Sequence, residues 1–235
     1  MPKIAVCGCA GVDKPSFVNE FLKQFTIYRR GCESYKNIPQ KKQVFGSQEL
    51  QLSILNAMVD DILALNKTDN VIIEHSILDN LVDSMWMNVH LTPQKISNID
   101  DRFIQKSIKV VKETLHFLDL IIWLPKVNQY DIQYASKEDE VYDDEIDNLF
   151  SAIEETYTTR KEQIFEFSSP DGAPGLIQVF GTPEERMNII KLYLDPKTGD
   201  FLGKVDSDSL IQLPSDLESQ VLLDTITKQI SASKE

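Results

Sequence analysis

The run Gly8-Cys9-Ala10-Gly11-Val12-Asp13-Lys14-Pro15-Ser16 has the residue types and spacing of a loop that wraps a phosphate. In such a loop, glycines let backbone N–H groups turn onto the anion, a lysine reaches the outer phosphates and a following Ser or Thr holds Mg²⁺. Gly8, Gly11 and Lys14 meet that requirement. Asp13 stands where a glycine is expected before the lysine. It adds a Cβ in a tight turn and a carboxylate near an anion site. Pro15 replaces the hydroxyl residue and brings no N–H, although it suits the first turn of a helix. Ser16 is the nearest hydroxyl for a metal, one place late. The bland alternative is a glycine turn between strand and helix with a chance lysine.

A second chemical segment is Val71-Ile72-Ile73-Glu74-His75-Ser76-Ile77-Leu78-Asp79-Asn80-Leu81-Val82, an apolar strand that ends in an acid and leads into a helix. A carboxylate at the C-terminal end of a parallel strand faces the ligand crevice, which is where Glu74 would sit. Its alternative role is to cap the helix that follows.

These segments need a frame that brings them together, and the periodicity supplies one. Lys3 to Gly8 reads as a buried strand and Ser16 to Phe25 as a helix; Gln48 to Leu65 carries apolar residues at helical spacing before the strand Val71–Ile73. Phe103 to Phe117 reads as helix, Leu118 to Leu124 as strand, Ile146 to Tyr157 as helix, Leu176 to Phe180 as strand and Glu184 to Tyr193 as helix. Strands separated by helices predict an α/β fold with a parallel sheet and helices on both faces. Asp195 to Asp200 predicts a turn within a hairpin, and Ser215 with Glu218 predicts a capped final helix with the stripe Leu217, Val221, Leu222, Ile226 and Ile230. The expected division is a main domain over 1–194 and an extension over 195–235.

Together these motifs resemble the P-loop nucleoside and nucleotide kinases, in particular the thymidylate kinase, deoxynucleoside kinase, NadR-like and phage-encoded members. Glu74-His75-Ser76 is similar to their acid-Arg-Ser segment, with histidine in place of the phosphate-binding arginine. The resemblance implies a P-loop NTPase fold, ATP and Mg²⁺ as cofactors, Lys14 and Glu74 as catalytic groups, and Ser16 with Glu74 as metal ligands. It implies that Thr182 and Arg186, in Gly181-Thr182-Pro183-Glu184-Glu185-Arg186, lie against the adenine side of the nucleotide with Gly8, Gly11, Asp13, Lys14 and Ser16. It also implies that Arg29, Arg30, Gln48 and His75 hold a nucleoside or nucleotide acceptor; Arg29 and Arg30 read equally well as solvated loop charges. The chain departs from the family again after Pro125, because no arginine occurs before Phe150 to serve as a lid cation, and Arg160 and Lys161 come only later.

Two functions from different classes follow. One is an impaired ATP-dependent kinase of a nucleoside, nucleotide or modified base. The other is a catalytically inactive pseudokinase that binds a partner through its acidic surface or its last helix. A formal net charge of −13 opposes general nucleic-acid and anionic-membrane binding. With 42% hydrophobic residues and no apolar run near the roughly 20 needed to span a bilayer, the expectation is a soluble cytoplasmic protein, in the host cytoplasm if viral. Cys7, Cys9 and Cys32 are expected to be reduced and structural. The acidic run from Lys137 to Glu145 is expected to be a solvated loop or helix face.

Overall fold

The computed structural model describes residues 2–38, 46–65, 70–94, 96–126, 134–159 and 173–202. The elements in chain order are β1 (Lys3–Cys7), α1 (Lys14–Gln24), β2 (Arg29–Arg30), α2 (Gln48–Leu63), β3 (Val71–Ile73), α3 (Ile77–His90), α4 (Asp101–Leu115), β4 (Leu120–Trp123), α5 (Lys137–Thr159), β5 (Gly175–Gln178) and α6 (Pro183–Tyr193). The five strands form one parallel sheet in the order β2-β3-β1-β4-β5. β3 and β4 are buried at every position because a parallel sheet is covered on both faces, which is why they read as unbroken apolar runs. α1 packs on α6, while α2, α4 and α5 gather around α3.

β1 lies at the centre of the sheet, with β3 on one side and β4 on the other. This arrangement determines the site. The connection order reverses at β1, which brings the segments that follow β1 and β3 side by side at the strands' C-terminal ends. The loop after β1 carries Gly8 to Lys14, the one after β3 carries Glu74, and the one after β4 leads toward α5.

Two elements differ from the sequence reading. Arg29 and Arg30 form a short edge strand, with Arg29 paired to Val71 and Arg30 to Ile72. Two arginines carry no strand signal, and the pairing comes from β3 alone, through Arg29 N–H to the Asn70 carbonyl and Gly31 N–H to the Ile72 carbonyl. Of the two expected forms the acidic run takes the helical one and forms the first turns of α5, so the helix begins nine residues before the expected Ile146. Ser136 caps it by accepting from the Asp139 N–H at 3.1 Å, and Glu138, Asp139 and Glu140 complement the positive end of the helix dipole.

The turn at Asp195–Asp200 is present and closes an antiparallel bridge between Leu194 and Phe201. It is docked on the main body where the Tyr28 hydroxyl donates to the Gly199 carbonyl at 2.8 Å. The expected helix from Ser215 to Ile230, and Arg160 and Lys161, lie outside the described residues.

Candidate functional site

Where β1 ends, Gly8 takes φ +144°, and a Cβ there would meet the Leu124 carbonyl oxygen at 2.6 Å. A single 3₁₀ turn over Ala10–Val12 follows, then Asp13 at φ 53°, in the left-handed region that favours glycine. Asp13 does not point its carboxylate into the loop. It serves as the N-cap of α1 and accepts from the Ser16 N–H at 3.2 Å. The aspartate thus recovers with a cap part of what it loses in backbone strain.

The carboxylate inside the loop belongs to Asp143 of α5. Its two oxygens accept from the N–H groups of Ala10 at 3.2 Å and Gly11 at 2.7 Å. Asp143 is 2% exposed, although its helical neighbours Glu140, Val141 and Asp144 are exposed. Lys14 is buried as well and folds back on its own loop. Its Nζ donates to the carbonyls of Gly8 at 2.5 Å and Cys9 at 3.0 Å, and lies 3.6 Å from Asp79 Oδ1.

Asp79 ties α3 to the loop. Oδ1 accepts from the Gly8 N–H at 3.2 Å and Oδ2 from the Ser76 N–H at 2.7 Å, the latter completing a capping box with Ser76. Burial raises its carboxyl to about 7, against the opposing pull of Lys14 and of its two backbone donors. Burial also raises the carboxyls of Asp83 and Asp147. Cys7 and Cys9 are free and buried, and the Cys9 thiol is pushed up to about 12, mainly by burial. Both are structural rather than nucleophilic.

The second half of the crevice centres on Glu74, which is 4% exposed. Oε2 is ion-paired with Arg30, whose other nitrogen donates to Asn19 Oδ1 at 2.8 Å; Oε1 accepts from Lys36 at 3.1 Å. Glu74 therefore does not cap α3, a task that falls to Ser76. His75 Nε2 lies 3.9 Å from Glu74 Oε1, and Tyr35 meets the imidazole edge-on with centroids 5.6 Å apart. Burial, together with Lys14 and Lys36, holds the imidazole near 3, so it is neutral at pH 7.

Arg30, Glu74 and His75 thus come together, joined by Lys36, Tyr35 and Asn19, which the sequence did not single out. Gly8, Gly11 and Lys14 come together with Asp79 and Asp143. Arg186 is buried and donates to the Gly181 carbonyl at 3.1 Å and the Val12 carbonyl at 3.2 Å, clamping the start of α6 to the loop. Thr182 caps α6 in a capping box with Glu185. Gln48 opens α2 and is bonded to Asn98 through its backbone N–H and its side chain, while Arg29 is exposed on the edge strand.

The donor set suits an anion better than a metal. Two N–H groups converge on one carboxylate, which is the geometry of an anion receptor. Pro15 offers no side-chain oxygen, Ser16 is exposed on the first turn of α1, and both Glu74 oxygens are held by cations. Glu33, Glu74 and His75 present ligand atoms within 4.8 Å of one another, but a cation there would have to displace Arg30 or Lys36.

The titrating groups predict an unusual pH profile. A carboxyl raised to about 7 keeps, in the native state, a proton that the unfolded chain loses near pH 4, so stability falls as pH rises between 4 and 7. His75, lowered to about 3, has the opposite effect: the unfolded chain takes up a proton near pH 6.5, and stability falls as pH drops from 6.5 to 3. Each slope is about 1.4 kcal/mol per pH unit. Between pH 4 and 6.5 they oppose each other. In His75→Gln the slopes of the raised carboxyls remain, that of Asp79 with those of Asp83 and Asp147, and urea midpoints are expected to fall steadily from pH 4 to 7 and less steeply when Asp79→Asn is added. A flat profile in that variant would contradict the assignment to Asp79.

No family model matches the sequence, and no curated protein matches it. Solved structures do match. A deoxyadenosine kinase from M. mycoides with bound dATP superposes with a TM-score of 0.52 at 18% identity, covering 81% of this chain and 98% of that one. A NadR protein in complex with NR matches with a TM-score of 0.49 at 11% identity over 76% of this chain, and one in complex with NAD and AMP-PNP with 0.47 at 9% over 82%. The chain spans 43% and 48% of those two NadR chains. The chain thus shares the α/β fold of that deoxyadenosine kinase, a parallel sheet between helices. No helix among the described residues is long and apolar enough to cross a membrane.

Proposed function

We propose that this chain binds the phosphates of a nucleotide in the Gly8–Lys14 loop and is an impaired kinase-type phosphotransferase. The observation that carries this reading is the convergence of the Ala10 and Gly11 N–H groups on one carboxylate, because a loop that receives two carboxylate oxygens can receive two phosphate oxygens. Lys14 supplies the cation, and Arg186 ties the loop to the α6 turn that would flank the base. On the acceptor side, Glu74 would take the proton of a nucleoside or nucleotide hydroxyl once its carboxylate is released from Arg30 or Lys36, with His75 beside it. Four features weaken transfer: Asp13 in a glycine position, Pro15 in the hydroxyl position, a neutral histidine beside Glu74, and the lack of an arginine between Pro125 and Phe150. Mg²⁺ finds no hydroxyl ligand at Pro15.

A second reading, a pseudokinase retained for interaction, is favoured by one specific fact: the anion in the loop is the protein's own. Here the acidic surface or the last helix, predicted from Ser215, would contact a protein partner.

Calorimetric titration of ATP·Mg²⁺ and of ADP into the full chain, with Lys14→Ala as control, separates the two. The first reading expects micromolar binding that weakens at least about tenfold in the control. No heat from a folded protein would reject it in favour of the second. Restoring the loop with Asp13→Gly and Pro15→Ser is expected to tighten ATP·Mg²⁺ binding, and an unchanged affinity would show that those two positions do not limit it.

A further inference from the structure

We infer that Asp143 is a built-in competitor for the phosphate: it closes the anion cradle, and an anion enters only when the first turns of α5 withdraw. The inference rests on the reading of the cradle as a phosphate site and adds to it a mechanism of control. Asp143 is the buried member of an otherwise exposed acidic stretch, and it is placed there by helical spacing with Ile146, Phe150 and Ile153, all in the core. A carboxylate buried to that degree requires donors, and the two it finds are those a phosphate would use. Both anions cannot occupy the site together, because like charges about 3 Å apart in a water-poor crevice repel strongly. Asp79 faces the same space and adds to the repulsion when ionised.

The helix segment that carries Asp143 is held largely by polar contacts. The Tyr142 hydroxyl donates to Asp83 at 2.8 Å, the Trp86 indole donates to Glu145 at 2.6 Å, Lys126 pairs with Asp144, and the Lys126 N–H donates to Asp147 at 3.0 Å. On its outer side the same segment borders a cavity of about 740 Å³ between α3 and α5, lined in part by Trp86, His90, Val141, Tyr142 and Glu145. The first turns of α5 therefore rest on these polar tethers and on the edge-on packing of Tyr142 against Trp86, with ring centroids 4.6 Å apart, so their withdrawal disrupts those contacts while Ile146, Phe150 and Ile153 stay in the core. Apparent affinity is reduced by the fraction of molecules with an open cradle, so a cradle open in a tenth of molecules binds about tenfold more weakly than one without the competitor.

Magnesium-free pyrophosphate, titrated into the full-length chain, tests the inference without reference to a base or a metal. Asp143→Ala is expected to bind it at least about tenfold more tightly than wild type. Tyr142→Phe, which keeps the carboxylate but removes one tether, is expected to bind it about threefold more tightly and serves if Asp143→Ala does not fold. Equal affinities within twofold in the folded variants and wild type would overturn the inference. ADP, titrated in parallel, distinguishes it from the function proposed above. If pyrophosphate tightens while ADP binds no better than pyrophosphate, Asp143 control stands and the nucleotide reading falls. If ADP binds wild type and Asp143→Ala alike, the nucleotide reading stands and Asp143 control falls. Binding of neither ligand to any folded variant rejects both.

Discussion

Lys14→Met is expected to destabilise the chain by about 3 kcal/mol at pH 8, because it removes a buried cation from between a carboxylate and two carbonyls. Nζ is the hydrogen-bond partner of the Gly8 and Cys9 carbonyls, and it lies 3.6 Å from Asp79. Methionine fills most of the same volume but leaves those oxygens without a donor in a buried site. The loss is expected to shrink at pH 5. Burial has already raised the Asp79 carboxyl to about 7, and without Lys14 it rises further, so the missing charge matters most where the wild-type carboxyl is ionised. Urea denaturation at both pH values checks this. An equal loss at pH 5 and pH 8 would mean that the carboxylate is not the partner that matters. On this view Lys14 has a structural duty in the closed loop as well as its expected one toward phosphate.

Gly8→Ala is expected to cost about 3 kcal/mol or more and to lower the melting temperature accordingly. Its φ of +144° is a region that L side chains avoid, and the new Cβ would come within 2.6 Å of the Leu124 carbonyl oxygen and 3.1 Å of Val12 Cγ2. Leu124 cannot easily retreat, since its own N–H donates to the Cys7 carbonyl at 2.9 Å. Relief by shifting the loop would move the Ala10 and Gly11 N–H groups, so anion affinity is expected to fall together with stability. A loss below about 1 kcal/mol would show that the loop yields more readily than its contacts with β4 indicate.

The alternation of strand and helix, the parallel sheet and the position of the loop are all legible in the chain's local pattern. Those follow from local signals: the unbroken apolar runs of β1, β3 and β4, the helical spacing in α2 and α4, and the Gly8-Gly11-Lys14 pattern between strand and helix. Glu74 was legible as a carboxylate at the end of an apolar strand, with helix capping as its alternative, and the structure gives the cap to Ser76. Asp79 was visible in Ser76-Ile77-Leu78-Asp79 but without a role. The short strand at Arg29–Arg30 was not legible, since its pairing depends on β3, about forty residues later in the chain.

Only the tertiary structure decided what fills the loop. Asp13 is adjacent to Lys14 in sequence and looked like the intruding acid, yet its backbone conformation turns it outward to cap α1. The acid that enters is Asp143, separated from Gly11 by 132 positions. Its one sequence signal was its spacing with Ile146 and Phe150, a carboxylate on an apolar face, and in a run of acids that signal is easily lost. Hydrophobic periodicity specifies which face of α5 turns inward, but the docking of that helix against the β1 loop brings the carboxylate to the N–H groups, and long-range docking leaves no local trace in the chain.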